Sequence, residues 1–126
     1  MARPISVAAL RSLVLLAVLA CSFASCGSTD SDGIRSGQDL YLRYGCSSCH
    51  GATGAGGTLG PPLRESTKYW KPEALTDFLV DPTEALANDE RLAKLNQAFR
   101  ATNMRPFDEL TREQLSQIAD FVLSLK

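Results

Sequence analysis

The sequence predicts an all-α domain. Three observations carry that expectation. Apolar residues recur at helical spacing in each long segment after residue 35, Gly- or Pro-containing breaks separate those segments, and no segment alternates apolar with polar residues as a strand would. At 126 residues the chain has a single-domain length. With 44% hydrophobic and 21% charged residues its composition is that of an ordinary soluble protein. The net charge is −1 and no Lys/Arg-rich run is present, so nothing points to a nucleic-acid partner. No internal repeat is visible.

Residues 1–26 read as an export signal. Arg3 and Arg11 lie in the first eleven residues, and residues 12–24 are uncharged and mostly apolar, the order of a secretory signal. As a helix, that apolar stretch would reach about 20 Å at ~1.5 Å per residue, short of a hydrocarbon core of ~30 Å, so a permanent span is the weaker reading. Ala24-Ser25-Cys26-Gly27 places small residues before a cysteine and resembles a bacterial lipoprotein processing site, with Cys26 as the lipid anchor to the membrane. Val18-Leu19-Ala20-Cys21 is a second candidate. The alternative is ordinary cleavage nearby, which would leave a soluble protein. Residues 27–35, polar and Gly/Ser-bearing, read as a flexible tether ahead of a domain over 36–126. Loss of Arg3 and Arg11 would leave 11 basic against 14 acidic residues, a net of −3.

The first helix is expected from Ser36 as N-cap, with Asp39 at N3, to about Tyr44 or Gly45. Leu40, Tyr41 and Tyr44 would face inward. Gly37 is costly inside a helix unless something approaches closely there. Residues 51–63 hold five glycines and two prolines, which rules out regular structure. Pro72 fits the first position of a second helix, with Glu73 in its first turn and Leu75, Phe78 and Leu79 at helical spacing. Asp81-Pro82 ends it. A third helix is expected from near Thr83 to about Phe99. Leu92, Leu95 and Phe99 would point inward, with Asp89, Glu90, Arg91 and Lys94 as a solvated face. Thr111 and Gln114 form a capping box, with Leu110 and Leu115 as its hydrophobic staple. The last helix would bury Leu115, Ile118, Phe121, Val122 and Leu125.

Cys46-Ser47-Ser48-Cys49-His50 is the stretch that carries chemistry. Two thiols three residues apart with a histidine after the second form the c-type haem attachment pattern. On one helical turn Cys46, Cys49 and His50 share a face, so both sulfurs can reach the vinyl groups of a porphyrin edge while the imidazole takes the iron. Half a zinc site would need further ligands, yet Cys21 and Cys26 are the only other cysteines and His50 is the only histidine. A redox dithiol would want a βαβ setting that the chain lacks. Haem attachment and export agree, since covalent attachment in bacteria takes place outside the cytoplasm and a cytosolic CxxC would more often hold metal. Cys46 and Cys49 are then expected as thioethers to one haem c. Met104 is the one methionine after Met1, in an irregular Asn103-Met104-Arg105-Pro106-Phe107 segment, and is the candidate second ligand. His/Met ligation raises the reduction potential.

With these residues in view, the sequence resembles the class I c-type cytochromes of bacteria, small monohaem electron carriers, over residues 36–126. That resemblance implies the cytochrome c-like fold, in which N- and C-terminal helices cross around a covalently bound haem. Gly37 and Tyr41 match the glycine and aromatic of the first helix, and Ile118 and Phe121 their partners on the last. Gly60-Pro61-Pro62-Leu63 matches Gly-Pro-x-Leu, which implies that the Pro61 carbonyl accepts from His50 Nδ1–H and that Leu63 packs on the haem. Tyr69 and Trp70 are placed either to donate to a haem propionate or simply to pack. Arg105 between Met104 and Pro106 departs from the family's usual Met-Pro.

The implied function is one-electron transfer in a periplasmic or membrane-surface chain, with redox proteins as partners and no residue doing acid–base chemistry. Alternatives are a tethered cytochrome subunit of a larger respiratory complex or dehydrogenase, or a haem peroxidase or gas sensor with an open sixth site. A monomer is the default if no complex forms. Arg64, Lys68, Lys71 and Arg105 are candidates for a local positive docking patch.

Overall fold

A computed structural model describes residues 29–99 and 103–126. The export signal, Cys26 and the start of the tether lie outside the described residues. Six α-helices are present among the described residues and no strand, as expected. They are α1 (Thr29–Arg43), α2 (Cys46–His50), α3 (Pro72–Val80), α4 (Pro82–Asn88), α5 (Glu90–Ala98) and α6 (Arg112–Ser124). A short 3-10 turn, Ser66–Lys68, lies between α2 and α3. None of these helices is long and apolar enough to cross a membrane.

Helix α6 is the spine, with α1 packed along it on one side and α3 on another. The core is continuous from Leu40 and Tyr41 through Leu115, Ile118, Ala119 and Phe121, with Leu75, Leu79 and Phe107 adjoining. Gly37 explains the closeness of the α1–α6 crossing. A Cβ there would run into the Gln117 carbonyl oxygen and sit 2.9 Å from the Phe121 Cβ. The residue that is costly inside a helix is what lets the two backbones meet. Tyr41 sits edge-on to Phe121 one turn later, with ring centroids 5.2 Å apart.

Two boundaries differ from the sequence reading. Helix α1 starts at Thr29, so Ser36 is an interior position and not a cap, and the stretch read as a tether is helical from Thr29 on. Once a helix is held by packing, each residue added at its end gains a hydrogen bond at little further cost. The expected third helix is two helices, broken at Asp89. Asp89 is extended (φ −108°, ψ 111°) and its carboxylate accepts from the Leu92 N–H at 3.0 Å, so it starts a new helix. Asp81 does the same for α4 through Thr83, with Pro82 at the first position. The capping box of α6 is complete, with the Gln114 N–H bonded to Thr111 Oγ1 and the Thr111 N–H to Gln114 Oε1.

Candidate haem site

Gly45, with φ 79°, turns the chain between α1 and α2, and Cys46–His50 forms one helical turn. Cys46 is buried and Cys49 and His50 are half-buried, and the two cysteines are not joined to each other by a disulfide. Burial pushes the Cys46 thiol up to about 11, a sign of how far this end of the turn is withdrawn from water.

Three hydrogen bonds fix this turn. His50 Nδ1 lies 2.8 Å from the Pro61 carbonyl oxygen, to which its N–H donates, leaving Nε2 as the free ligand atom. The His50 carbonyl accepts from the Gly56 N–H at 2.8 Å. The Tyr41 hydroxyl donates to the Gly51 carbonyl at 2.6 Å, tying the end of the turn back to α1. The Gly-rich loop is folded tightly enough to bring Pro61 over the ring. At Gly56, with φ 78°, a Cβ would stand 2.6 Å from the Pro62 nitrogen. Only glycine suits both the dihedral and the space.

Cys46, Cys49, His50, Pro61, Leu63, Trp70 and Met104 all line one cavity of about 630 Å³. That volume lies inside the ~300–1,000 Å³ range of cofactor pockets. Its floor is α3 and α6, through Leu75, Phe78, Leu79, Ile118 and Val122. The donor set, an imidazole and a thioether with two thiols beside them, suits haem iron and a porphyrin edge. Among the described residues no cluster of three or more His, Cys, Asp or Glu side chains could hold a metal ion, so a zinc site is not formed there. The residues fit a haem.

Trp70 packs on Phe78 with centroids 5.0 Å apart. Arg91, expected on a solvated face, instead lines the cavity, its guanidinium 4.6 Å from the centre of the Tyr69 ring and 5.7 Å from that of Trp70. Its carboxylate neighbour Asp89 is 3.8 Å away. The break at Asp89 sets the phase of α5, and a helix running unbroken from Thr83 would have hidden this. The Tyr41 hydroxyl was also missed, although a tyrosine buried on a core face signals a hydrogen-bond partner. The four-residue positive patch is reduced in the structure. Lys68 pairs with Glu65 at 2.7 Å and Arg105 with Glu109 at 2.6 Å, which leaves Arg64 and Lys71.

A family model described as Cytochrome c matches residues 34–126, well over half of the chain. No match is found among curated proteins or among solved structures. The family model spans the crossing helices, the CxxCH turn and the methionine segment alike; the chain belongs to the cytochrome c family, and it binds haem c covalently through Cys46 and Cys49.

Proposed function

We propose that the protein is an exported one-electron carrier with His50 and Met104 as the axial ligands. The observation that carries this is the meeting of both thiols, the imidazole and the thioether in one cavity with an apolar floor. Bound haem c supplies a one-electron couple at its iron, which a neutral thioether ligand biases towards the reduced state. The chain's own part is to hold two ligands and keep water out. His50 is oriented by Pro61, and Leu63, Leu75, Phe78 and Leu79 supply the low-polarity wall. The sole histidine is committed to Pro61 on one nitrogen and available for iron on the other, which leaves no histidine for acid–base work.

Export by the signal over residues 1–26 and a lipid anchor at Cys26 would place the carrier on the periplasmic face of a membrane, serving redox proteins as donor and acceptor. The attachment chemistry supports that compartment.

Absorption spectra of the haem-loaded protein, wild type and Met104→Ala, test the ligation. The oxidised wild type is expected to show the weak near-infrared sulfur-to-iron band, lost in the variant together with much of the potential. A high-spin ferric spectrum that binds cyanide readily, unaltered by the substitution, would overturn the reading and favour catalysis or sensing.

A further inference from the structure

We infer that Arg105 is a positioning residue for Met104, its guanidinium closing the methionine segment into a ring with Glu109 and Phe107. The inference rests on the His50/Met104 reading above. Residues 103–110 contain no helix. Among the described residues, the backbone hydrogen bonds of this segment outside Arg105 run from the Phe107 N–H to the Leu79 carbonyl at 3.4 Å and from the Leu110 N–H to the Phe107 carbonyl at 3.1 Å. Both begin after Met104. Pro106 contributes no N–H at all.

One side chain bridges that gap. Arg105 Nη1 donates to the Pro106 carbonyl and to Glu109 Oε2, each at 3.1 Å, and Nη2 donates to Glu109 Oε1 at 2.6 Å. The same planar group lies 4.6 Å from the centre of the Phe107 ring. Phe107 is buried in the core beside Leu79 and Leu110. Met104 packs partly buried against the core, and a second path of contacts runs from the core through Phe107 to the guanidinium and from there along one residue of backbone to Met104. An exposed ion pair by itself contributes little. Here the pair is bidentate, stacked and joined to a backbone carbonyl, so one ordered group makes several contacts at once. Lysine has neither the fork nor the flat face. The departure from Met-Pro in the sequence is thus the residue that holds the loop.

The test is stopped-flow uptake of imidazole by the ferric, haem-loaded protein at saturating imidazole, where release of Met104 limits the rate. Arg105→Lys and Glu109→Gln are each expected to speed uptake roughly tenfold, a coupling typical of groups in one hydrogen-bonded network, and the double variant to add little. The far-ultraviolet circular dichroism melt should stay close to wild type, which a merely structural loss would not allow. The near-infrared band of the wild type is recorded first. Its absence would remove the ligation reading itself and the inference with it. With the band present, unchanged rates in Arg105→Lys and Glu109→Gln would overturn the ring while leaving ligation intact. Acceleration in Arg105→Ala alone would make charge, not the ring, the cause, and would overturn it equally.

Discussion

Gly37→Ala should destabilise the protein, although alanine is the better helix former. The substitution gains up to ~1 kcal/mol of helix propensity in α1. Against that, the new Cβ would overlap the Gln117 carbonyl oxygen and stand 2.7 Å from the Gln117 carbonyl carbon and 2.9 Å from the Phe121 Cβ. Carbon contacts are most favourable at ~3.5–4.0 Å, so α1 and α6 must part by roughly 1 Å, and such a gap forfeits a quarter to a half of each contact it opens. Two of the three obstacles are backbone and none is the far end of a flexible side chain, which places the cost at the top of the ~1–3 kcal/mol range for overpacking. The net is a loss of about 2 kcal/mol, or a fall in Tm of roughly 8–16 °C for a domain of this size. Gly33 in the same helix supplies the control, because a Cβ there meets nothing within 4 Å. Gly33→Ala should be neutral or raise Tm. Thermal melts of the three haem-loaded proteins by circular dichroism decide the matter. If both alanines shift Tm in the same direction, the close crossing does not explain Gly37.

Three further outcomes are expected. Tyr41→Phe keeps the ring on Phe121 but leaves the Gly51 carbonyl without its hydroxyl donor, and should cost about 1–2 kcal/mol in guanidinium unfolding; an unchanged midpoint would refute a role for that bond. Asp89→Ala removes the cap of α5 and should cost about 1 kcal/mol, seen as faster amide exchange over residues 90–98 while α6 stays protected. The Arg105 guanidinium bonded to Glu109 holds that carboxyl down at about 2, from an ordinary 4.5. The unfolded chain therefore takes up this proton first, and the stability from the pair, present above about pH 4.5, should fade as pH falls towards 2. Because the pair is exposed, the stability difference between wild type and Glu109→Gln should be small at neutral pH, shrink further over that window and stay flat above it.

The parts legible in the sequence are those whose cause is local. The capping box at Thr111 and Gln114, Pro72 at a helix start and the helical phasing of Cys46, Cys49 and His50 depend on residues within a turn of one another. Gly37 was legible for a different reason: a glycine inside a helix demands a close neighbour, and the C-terminal helix supplies it. The break at Asp89 was not, because apolar residues keep a helical phase on both sides of it and an aspartate reads equally as a solvated face or a cap. Arg91 on Tyr69 and Trp70, and the Tyr41 hydroxyl on Gly51, are contacts between elements whose separation in space no local pattern encodes. The pairing of Lys68 and Arg105 shows the same limit for charge. A count of basic residues near a site says nothing of which are already paired.

The two residues proposed as axial ligands are held by different means, and that difference governs what substitutions do. His50 is bracketed by Cys49, by its own bond to Pro61, by the Gly56 N–H on its carbonyl and by Tyr41 on the next peptide. These restraints belong to α1, α2 and the glycine loop, elements packed into or against the α1–α6 crossing. Loosening the imidazole therefore requires loosening the fold, and changes there will register first as lost stability. Met104 packs against the core from a segment without helix, where the side-chain hydrogen bonds next to it in sequence are those of one exposed guanidinium. Local opening draws on the least restrained part of a structure, so ligand exchange should begin at this end at a free energy well below that of global unfolding. Substitutions at Arg105 and Glu109 then change exchange with little change in Tm. Substitutions at Gly37 and Tyr41 do the reverse, with both effects read on the same haem-loaded protein.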